Sequence, residues 1–349
     1  MANPVDEGFY MPAEWTPHTC TWMAWPCRDG LWPDYAATCK AYAEVANAIA
    51  QFEPVRMLVQ ENKVVAAGKQ LTDNIEVISM PIDDSWARDS GPNFLINNKG
   101  DLAGSTWTFN AWGSKYDPYD QDALMGSRIL ELAGAREFDS RMIAEGGGIT
   151  VDGEGTVITT ETCFPNQNRN PDWSRSEIEV ELRRTLGTEK VIWLPGDVEE
   201  KETDGHVDGI AAFIRPGVVL MEINSDETDP HYAVCQENLM AMQGQTDARG
   251  RKLQIETIEE GSYQPDVWSG GCISYINAYI VNNAVIVPGY NQLGDERAVD
   301  TWQKIYPDRE VVQVQIEDIG VGGGGVHCIT QQQPSPVTGV RSASPHGLV

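Results

Sequence analysis

The feature that most limits what this chain can fold into is a recurring pair of β-rich runs joined by a short polar or glycine-containing turn. Residues 94–97 and 102–109 flank Asn98-Lys99-Gly100-Asp101, and residues 148–151 and 156–160 flank Asp152-Gly153-Glu154-Gly155. Residues 207–214 and 218–223 flank Arg215-Pro216-Gly217, and residues 272–281 and 284–287 flank Asn282-Asn283. A last β-like run, 326–332, has no partner after it, but the early run 19–25 is free to supply one. That pairing would close a ring.

Helical patterns stand between the hairpins. In 174–186, Ser174 and Glu177 form a capping box, Ile178, Leu182 and Leu186 share a face, and Gly187 ends the helix. Further helices are expected at 35–52, 123–132, 231–242 and 296–305, with short strands following at 55–59, 191–194 and 311–316. Five strand-strand-helix-strand units imply radial repetition, each unit burying its faces against its neighbours. No linker interrupts them, so one closed α/β domain is expected over 1–334, with a flexible tail over 335–349.

Composition removes several functions. The formal charge of −27 leaves no clustered cations for phosphate, so nucleic acid is not an expected partner, while cationic ligands suit the acidic field. No apolar run reaches membrane-spanning length, and no basic-then-apolar opening marks export. Seven cysteines without paired spacing fit reduced thiols in the cytoplasm. Oligomeric state is left open; a homo-oligomer is compatible with everything above.

Reactive residue types fall at or just before the hairpins: Asp89, Glu145, His206 with Asp208, and Cys328. Equivalent positions in radial repeats converge on one axis, so these residues could line one cavity. The fourth unit supplies only Ser269-Gly270-Gly271, which would leave room. Cys328 follows four glycines, Gly322 to Gly325, whose backbone entropy a plain strand has no reason to lose. They point to a thiolate beside bare main chain where a planar substrate enters, whereas Cys20, Cys39, Cys163, Cys235 and Cys272 read as core thiols. The glycines also match a dinucleotide fingerprint from Gly320, but a strand follows where that motif needs a helix, so no nicotinamide or flavin is expected. His206 and Asp208, placed on one side of a strand start, could be an acid/base and an anionic clamp, or alternatively two metal ligands of a metal-dependent hydrolase. A non-catalytic acidic binding module is a third class.

Five motifs in order carry a family resemblance: Met11-Pro12-Ala13-Glu14-Trp15, the stretch 86–92, Glu145-Gly146-Gly147-Gly148, Gly205-His206-Val207-Asp208, and the Cys328 segment ending Gln331-Gln332-Gln333-Pro334. Together they resemble the agmatine deiminase and bacterial peptidylarginine deiminase family, and the match spans nearly the whole chain. The resemblance implies the pentein fold, a five-bladed α/β propeller. It implies Cys328 as nucleophile, Asp89 and Asp208 gripping a guanidinium, His206 as acid/base with Glu145 orienting it, and Trp86 and Glu202 lining the pocket. It also implies a small cationic guanidinium substrate and no metal or organic cofactor. Free arginine would need a cation for its carboxylate, and Arg88, the one arginine within a motif, is expected to point away from Asp89. Asp204, Glu202 and Trp86 suit a terminal amine instead. Agmatine, converted to N-carbamoylputrescine and ammonia on the way to putrescine, is therefore the expected substrate, with arginine or peptidyl-arginine as the alternative.

Overall fold

The computed structural model describes residues 3–28, 30–261 and 272–336. Strands β1 (His18–Ala24), β2 (Val55–Val59) and β3 (Ile75–Ser79) come first, followed by β4 (Asn93–Ile96), β5 (Leu102–Thr108) and β6 (Arg136–Ile143). Next are β7 (Thr150–Val151), β8 (Thr156–Thr160), β9 (Lys190–Leu194), β10 (Ala211–Arg215), β11 (Val218–Ile223) and β12 (Gln254–Glu259). The chain ends with β13 (Tyr279–Val281), β14 (Ala284–Gly289), β15 (Glu310–Gln315) and β16 (Thr330–Pro334).

These strands make five small sheets of one design. An antiparallel hairpin joins the first two strands, a crossover follows, and the third strand returns parallel, as in β4-β5-β6 and β13-β14-β15. The remaining sheet combines the two ends of the chain. β16 pairs antiparallel with β1, with Trp22 opposite Gln331, and β2 and β3 follow in parallel, so the expected ring closure is present.

Four buried apolar clusters stitch the sheets in sequence. Trp22, Leu58 and Phe94 join the first to the second; Leu95, Phe138 and Val157 join the second to the third; Ile158, Leu194 and Phe213 join the third to the fourth. The largest, with Leu220, Val285 and Met57, ties the fourth and fifth back to the first. Each fully buried side chain of this size contributes roughly 1.5–3 kcal/mol. Because each sheet buries both flanks against neighbours, the result is a five-bladed α/β propeller.

Local signals were good at helix ends. The helix Arg175–Leu186 starts at Ser174 with the full capping box and stops at Gly187, whose φ of 66° is left-handed. His231–Met242 has the expected limits, while the helix begun at Tyr35 ends at Ile49 because Gln51 and Phe52 close tighter turns onto Ala48 and Ile49. Among the described residues no helix is long and apolar enough to cross a membrane. The expectation for a tail lies outside the described residues from position 337 onward.

The strands before the site are shorter than their β-rich composition suggests. Val207–Gly209 is a single 3₁₀ turn and the strand begins at Ala211, so His206 caps the turn and Asp208 lies within it, rather than the two sharing a strand face. Likewise 326–329 is a turn ahead of β16, and only Tyr279–Val281 of the expected 272–281 strand is extended.

Candidate active site

Turns at the inner ends of the hairpins meet at the axis. The glycine turn Gly146–Gly148 lies against both the helical turn Ala87–Ser90 and the turn Val207–Gly209. Arg88 N–H donates to Cys328 O at 3.1 Å, fastening the turn that carries the thiol. Gly147 shows how close the approach is. A Cβ there would lie 2.5 Å from His206 Nδ1, 2.8 Å from Asp89 Oδ1 and 3.1 Å from Asp208 Oδ2. Three of the expected residues thus surround one bare α-carbon.

Cys328 is buried, its Sγ 3.5 Å from Asp208 Oδ2 and 3.4 Å from Asn277 Oδ1. Burial raises its thiol pKa well above the ordinary value, and the Asp208 and Asp89 carboxylates add to the rise. Without a cationic ligand this sulfur is a thiol. Burial would lower the pKa of His206, but Asp89, Cys163 and Glu145 outweigh it and hold the imidazole protonated well above its usual range. His206 Nε2 lies 3.4 Å from Glu145 Oε2; its Nδ1, 3.8 Å from Asp89 Oδ1, has no hydrogen-bond partner among the described residues.

The two clamp carboxylates differ. Asp89 is pushed up by burial, only partly opposed by His206, and accepts from Gly147 N at 2.9 Å and Trp112 Nε1 at 2.9 Å. Trp112 comes from a left-handed run in which Ala111, Trp112 and Ser114 have φ of 52°, 55° and 61°. Such positions cost on the order of 1 kcal/mol each and persist where surroundings fix them, here the bond to Asp89 and the ring of Phe109 at 5.2 Å. Asp208, which burial would raise, is held low by His327, whose Nδ1 is 2.9 Å away. Glu145, equally buried, is held low by Arg169 Nε at 2.7 Å.

Two cavities meet at the sulfur. The wider, about 660 Å³, is lined by Glu202, His206, Asp208, Asn277 and Cys328 among others, with acidic side chains outnumbering its lone lysine, Lys201. A narrow one is bounded by Trp86, Asp89, Trp112, Tyr116, Glu202 and Gly322 to Gly324. A Cβ at Gly324 would lie 2.4 Å from Trp86 Cζ3 and 3.0 Å from Cys328 Cβ, so the glycine run does serve close approach, on a turn rather than a strand. Trp86 is buried against Trp32, and Tyr116 donates to Glu202 Oε2 at 2.6 Å.

Asp204 is a correction. It lines neither cavity, because its Oδ2 is taken up by Lys115 at 2.8 Å, Asn168 at 2.9 Å and Arg169 at 2.7 Å. It steadies Arg169, which steadies Glu145. Glu145, Cys163 and His206 are the metal-spaced group of three at this site, and Arg169 bound to Glu145 opposes a cation among them. Arg88 points away from the cavity toward Glu14 Oε2, 3.6 Å distant, although it sits on a helical turn where strand parity has no meaning.

Five contributors had no role assigned from the sequence. Asn277, just ahead of β13, accepts from His327 N at 3.0 Å and Cys328 N at 3.4 Å; Ser269-Gly270-Gly271, expected to leave room there, lies outside the described residues. His327, next to the thiol, bridges Asp208 and Glu14, with Nε2 2.9 Å from Glu14 Oε2. Burial opposes it, but His327 and Arg88 lower the Glu14 pKa to about 2. Arg169 and Trp112 had no periodic or spacing signal. His327 and Glu14 did lie inside the motifs already singled out.

Comparison with known proteins agrees with this architecture. Residues 10–334 match the family model for Porphyromonas-type peptidyl-arginine deiminase. A Legionella pneumophila relative is 45% identical over 339 residues, covering 95% of this chain and 96% of its own. The agmatine deiminase of Pseudomonas aeruginosa (strain LESB58) is 42% identical over 365 residues, covering 96% and 99%. The solved agmatine deiminase of Enterococcus faecalis superposes with a TM-score of 0.92 at 37% identity, covering 97% of this chain and 99% of its own. The chain therefore belongs to the Porphyromonas-type peptidyl-arginine deiminase family, among the agmatine deiminases.

Proposed function

We propose that this protein hydrolyses agmatine to N-carbamoylputrescine and ammonia through a covalent adduct on Cys328. The observation that carries the reading is the grouping of Cys328, Asp208, Asp89 and His206 around one cavity whose charged walls are mainly acidic. A guanidinium is a resonance-stabilised cation and a poor electrophile, so it has to be immobilised and met by a strong nucleophile. Asp89 and Asp208 accept its N–H groups and offset its charge. The bound cation in turn lowers the cost of ionising Cys328, so that the thiol proton passes to solvent and thiolate forms only when substrate is present.

The sulfur adds to the central carbon, and His206, protonated at rest, gives a proton to one terminal nitrogen, which leaves as ammonia. An S-alkyl-isothiourea-like amidino adduct remains. His206, now neutral, takes a proton from water as its oxygen adds to the same carbon; the C–S bond then breaks, the new hydroxyl's proton passes to the departing sulfur, and the urea leaves with the thiol restored and His206 protonated again. Glu145, fixed by Arg169, keeps the imidazole in place through both transfers. Every step uses groups of this chain, so no metal or organic cofactor is required.

Substrate preference follows from the far end of the cavity. Glu202 and Trp86 offer a carboxylate and an aromatic face to an amine. The nearby arginines are committed, Arg169 to Glu145 and Asp204, Arg88 to Glu14, leaving neither for the carboxylate of free arginine. The test is mass spectrometry of protein quenched during turnover with agmatine, arginine and a peptidyl-arginine. A Cys328 adduct equal to agmatine less ammonia is expected. Turnover without any adduct at that position, or faster reaction with arginine, would overturn the reading.

A further inference from the structure

The wall of the wide cavity carries a second cluster that this chemistry leaves unused. His231 and Cys235 stand one turn apart at the start of the helix His231–Met242, and Glu260 directly follows β12. His231 Nδ1 is 2.5 Å from Glu260 Oε2 and 3.6 Å from Cys235 Sγ, and donor atoms of the three lie within 4.8 Å of one another. The other ring nitrogen, Nε2, is 3.3 Å from Asp197 Oδ2, and Asn224 Nδ2 donates to the second oxygen of Glu260.

This wiring poses a charge problem. With Asp197 accepting from Nε2–H, a neutral imidazole aims its Nδ1 lone pair at the Glu260 carboxylate, and two acceptors would face each other. Something cationic has to stand between them, either a proton or a metal ion. Both candidate ligands that need orienting already are: a carboxylate on the far nitrogen of the histidine and an amide on the far oxygen of the glutamate, the arrangement that supports ligands around metals.

We propose that His231, Cys235 and Glu260 form a site for a thiophilic divalent cation of the zinc class, oriented by Asp197 and Asn224 and completed by water. Bonds of about 2.0–2.3 Å in a tetrahedron set donor separations on the order of 3.3–3.8 Å. The nitrogen–sulfur spacing already fits, and Glu260 has to withdraw by about 1 Å, a small torsional change. Binding displaces two protons, one from Nδ1 and one from the Cys235 thiol, so affinity falls as pH falls.

Cobalt(II) titrated into the full-length Cys328→Ser protein is a direct probe, since it reports thiolate ligation by near-ultraviolet charge transfer and tetrahedral geometry by visible bands. One equivalent per chain is expected to give both signals, retained in a Cys163→Ser background that dismantles the other metal-spaced group. Cys235→Ser is expected to abolish the charge-transfer band, and Asp197→Asn to weaken binding about 10- to 100-fold, with melting temperature checked to show each variant folded. A band that survives Cys235→Ser or disappears with Cys163→Ser overturns the proposal, as does a folded parent that gives no band.

Discussion

His327 reaches the reacting sulfur only through another residue, yet it decides the charge state of one clamp. Its Nδ1 lies 2.9 Å from Asp208 Oδ2 and its Nε2 lies 2.9 Å from Glu14, so a protonated ring is shared by two carboxylates. Burial would raise Asp208; His327 keeps it low, so the clamp is ionised and loses its charge only as pH falls through that depressed value. In His327→Asn burial of Asp208 is opposed only by the more distant charges of His206 and Arg88. The acid limb of the kcat/KM profile with agmatine is therefore expected to move to higher pH, with activity at pH 7 reduced on the order of 10-fold, about 1.4 kcal/mol. An unchanged limb would show that Asp208 holds its charge without the histidine. Adjacent to the nucleophile, His327 was visible in the sequence, but its role was not, because Glu14 and Asp208 are far away along the chain.

Among the elements, the inner turns matter more than the strands they precede. Gly146–Gly148 sits where the turns of three blades touch, and Gly147 alone leaves room for His206, Asp89 and Asp208 to crowd one point. Gly147→Ala would put a methyl 2.5 Å from His206 Nδ1. A displacement of about 1 Å in reacting groups can cost on the order of 100-fold, so that loss in kcat/KM is expected, while circular dichroism stays native. Kinetics within a few-fold of the parent would mean the imidazole can retreat without consequence. Hairpin positions and helix ends were legible because they depend on near neighbours, as with Ser174 and Glu177 at one helix start. The turns at His206 and Cys328 were misread as strand because their β-branched and apolar residues resemble strand composition. What overrides composition there is hydrogen bonding from other blades, such as Asn277 receiving the amides of His327 and Cys328.

Taken whole, the ring depends on its seam. Gln333 Oε1 accepts from Trp22 Nε1 at 3.0 Å across β1 and β16, and both residues are buried. Gln333→Ala leaves the indole N–H unpaired, so a loss of about 1–3 kcal/mol is expected, read as a melting temperature lower by a few degrees. Stability should also depend on pH in a definite sense. Glu14, lowered from 4.5 to about 2, stabilises the fold above pH 4.5, and that contribution is lost as pH falls toward 2. Asp122 and Glu222, raised by burial from 3.8 and 4.5 to about 8, stabilise it at low pH and lose that contribution as pH rises toward 8. His206, raised well above 6.5, acts in the same direction at still higher pH. The melting temperature is expected to peak near pH 5 and decline toward pH 8, with Glu222→Gln flattening the decline; a rising curve over that range would contradict these shifts. The sequence by itself determined the repeated hairpins, the closure of the ring by its two ends, and the glycine-flanked reactive positions, because each is written in local backbone preference or in a motif. Only the tertiary structure decided that Asp204 serves Arg169 rather than the cavity, that Asn277 completes the site, and that Asp89 and Asp208 carry opposite pKa shifts. Those outcomes depend on which distant charges share a buried space, and burial and Coulomb energy are functions of distance in the folded molecule, not of separation along the chain.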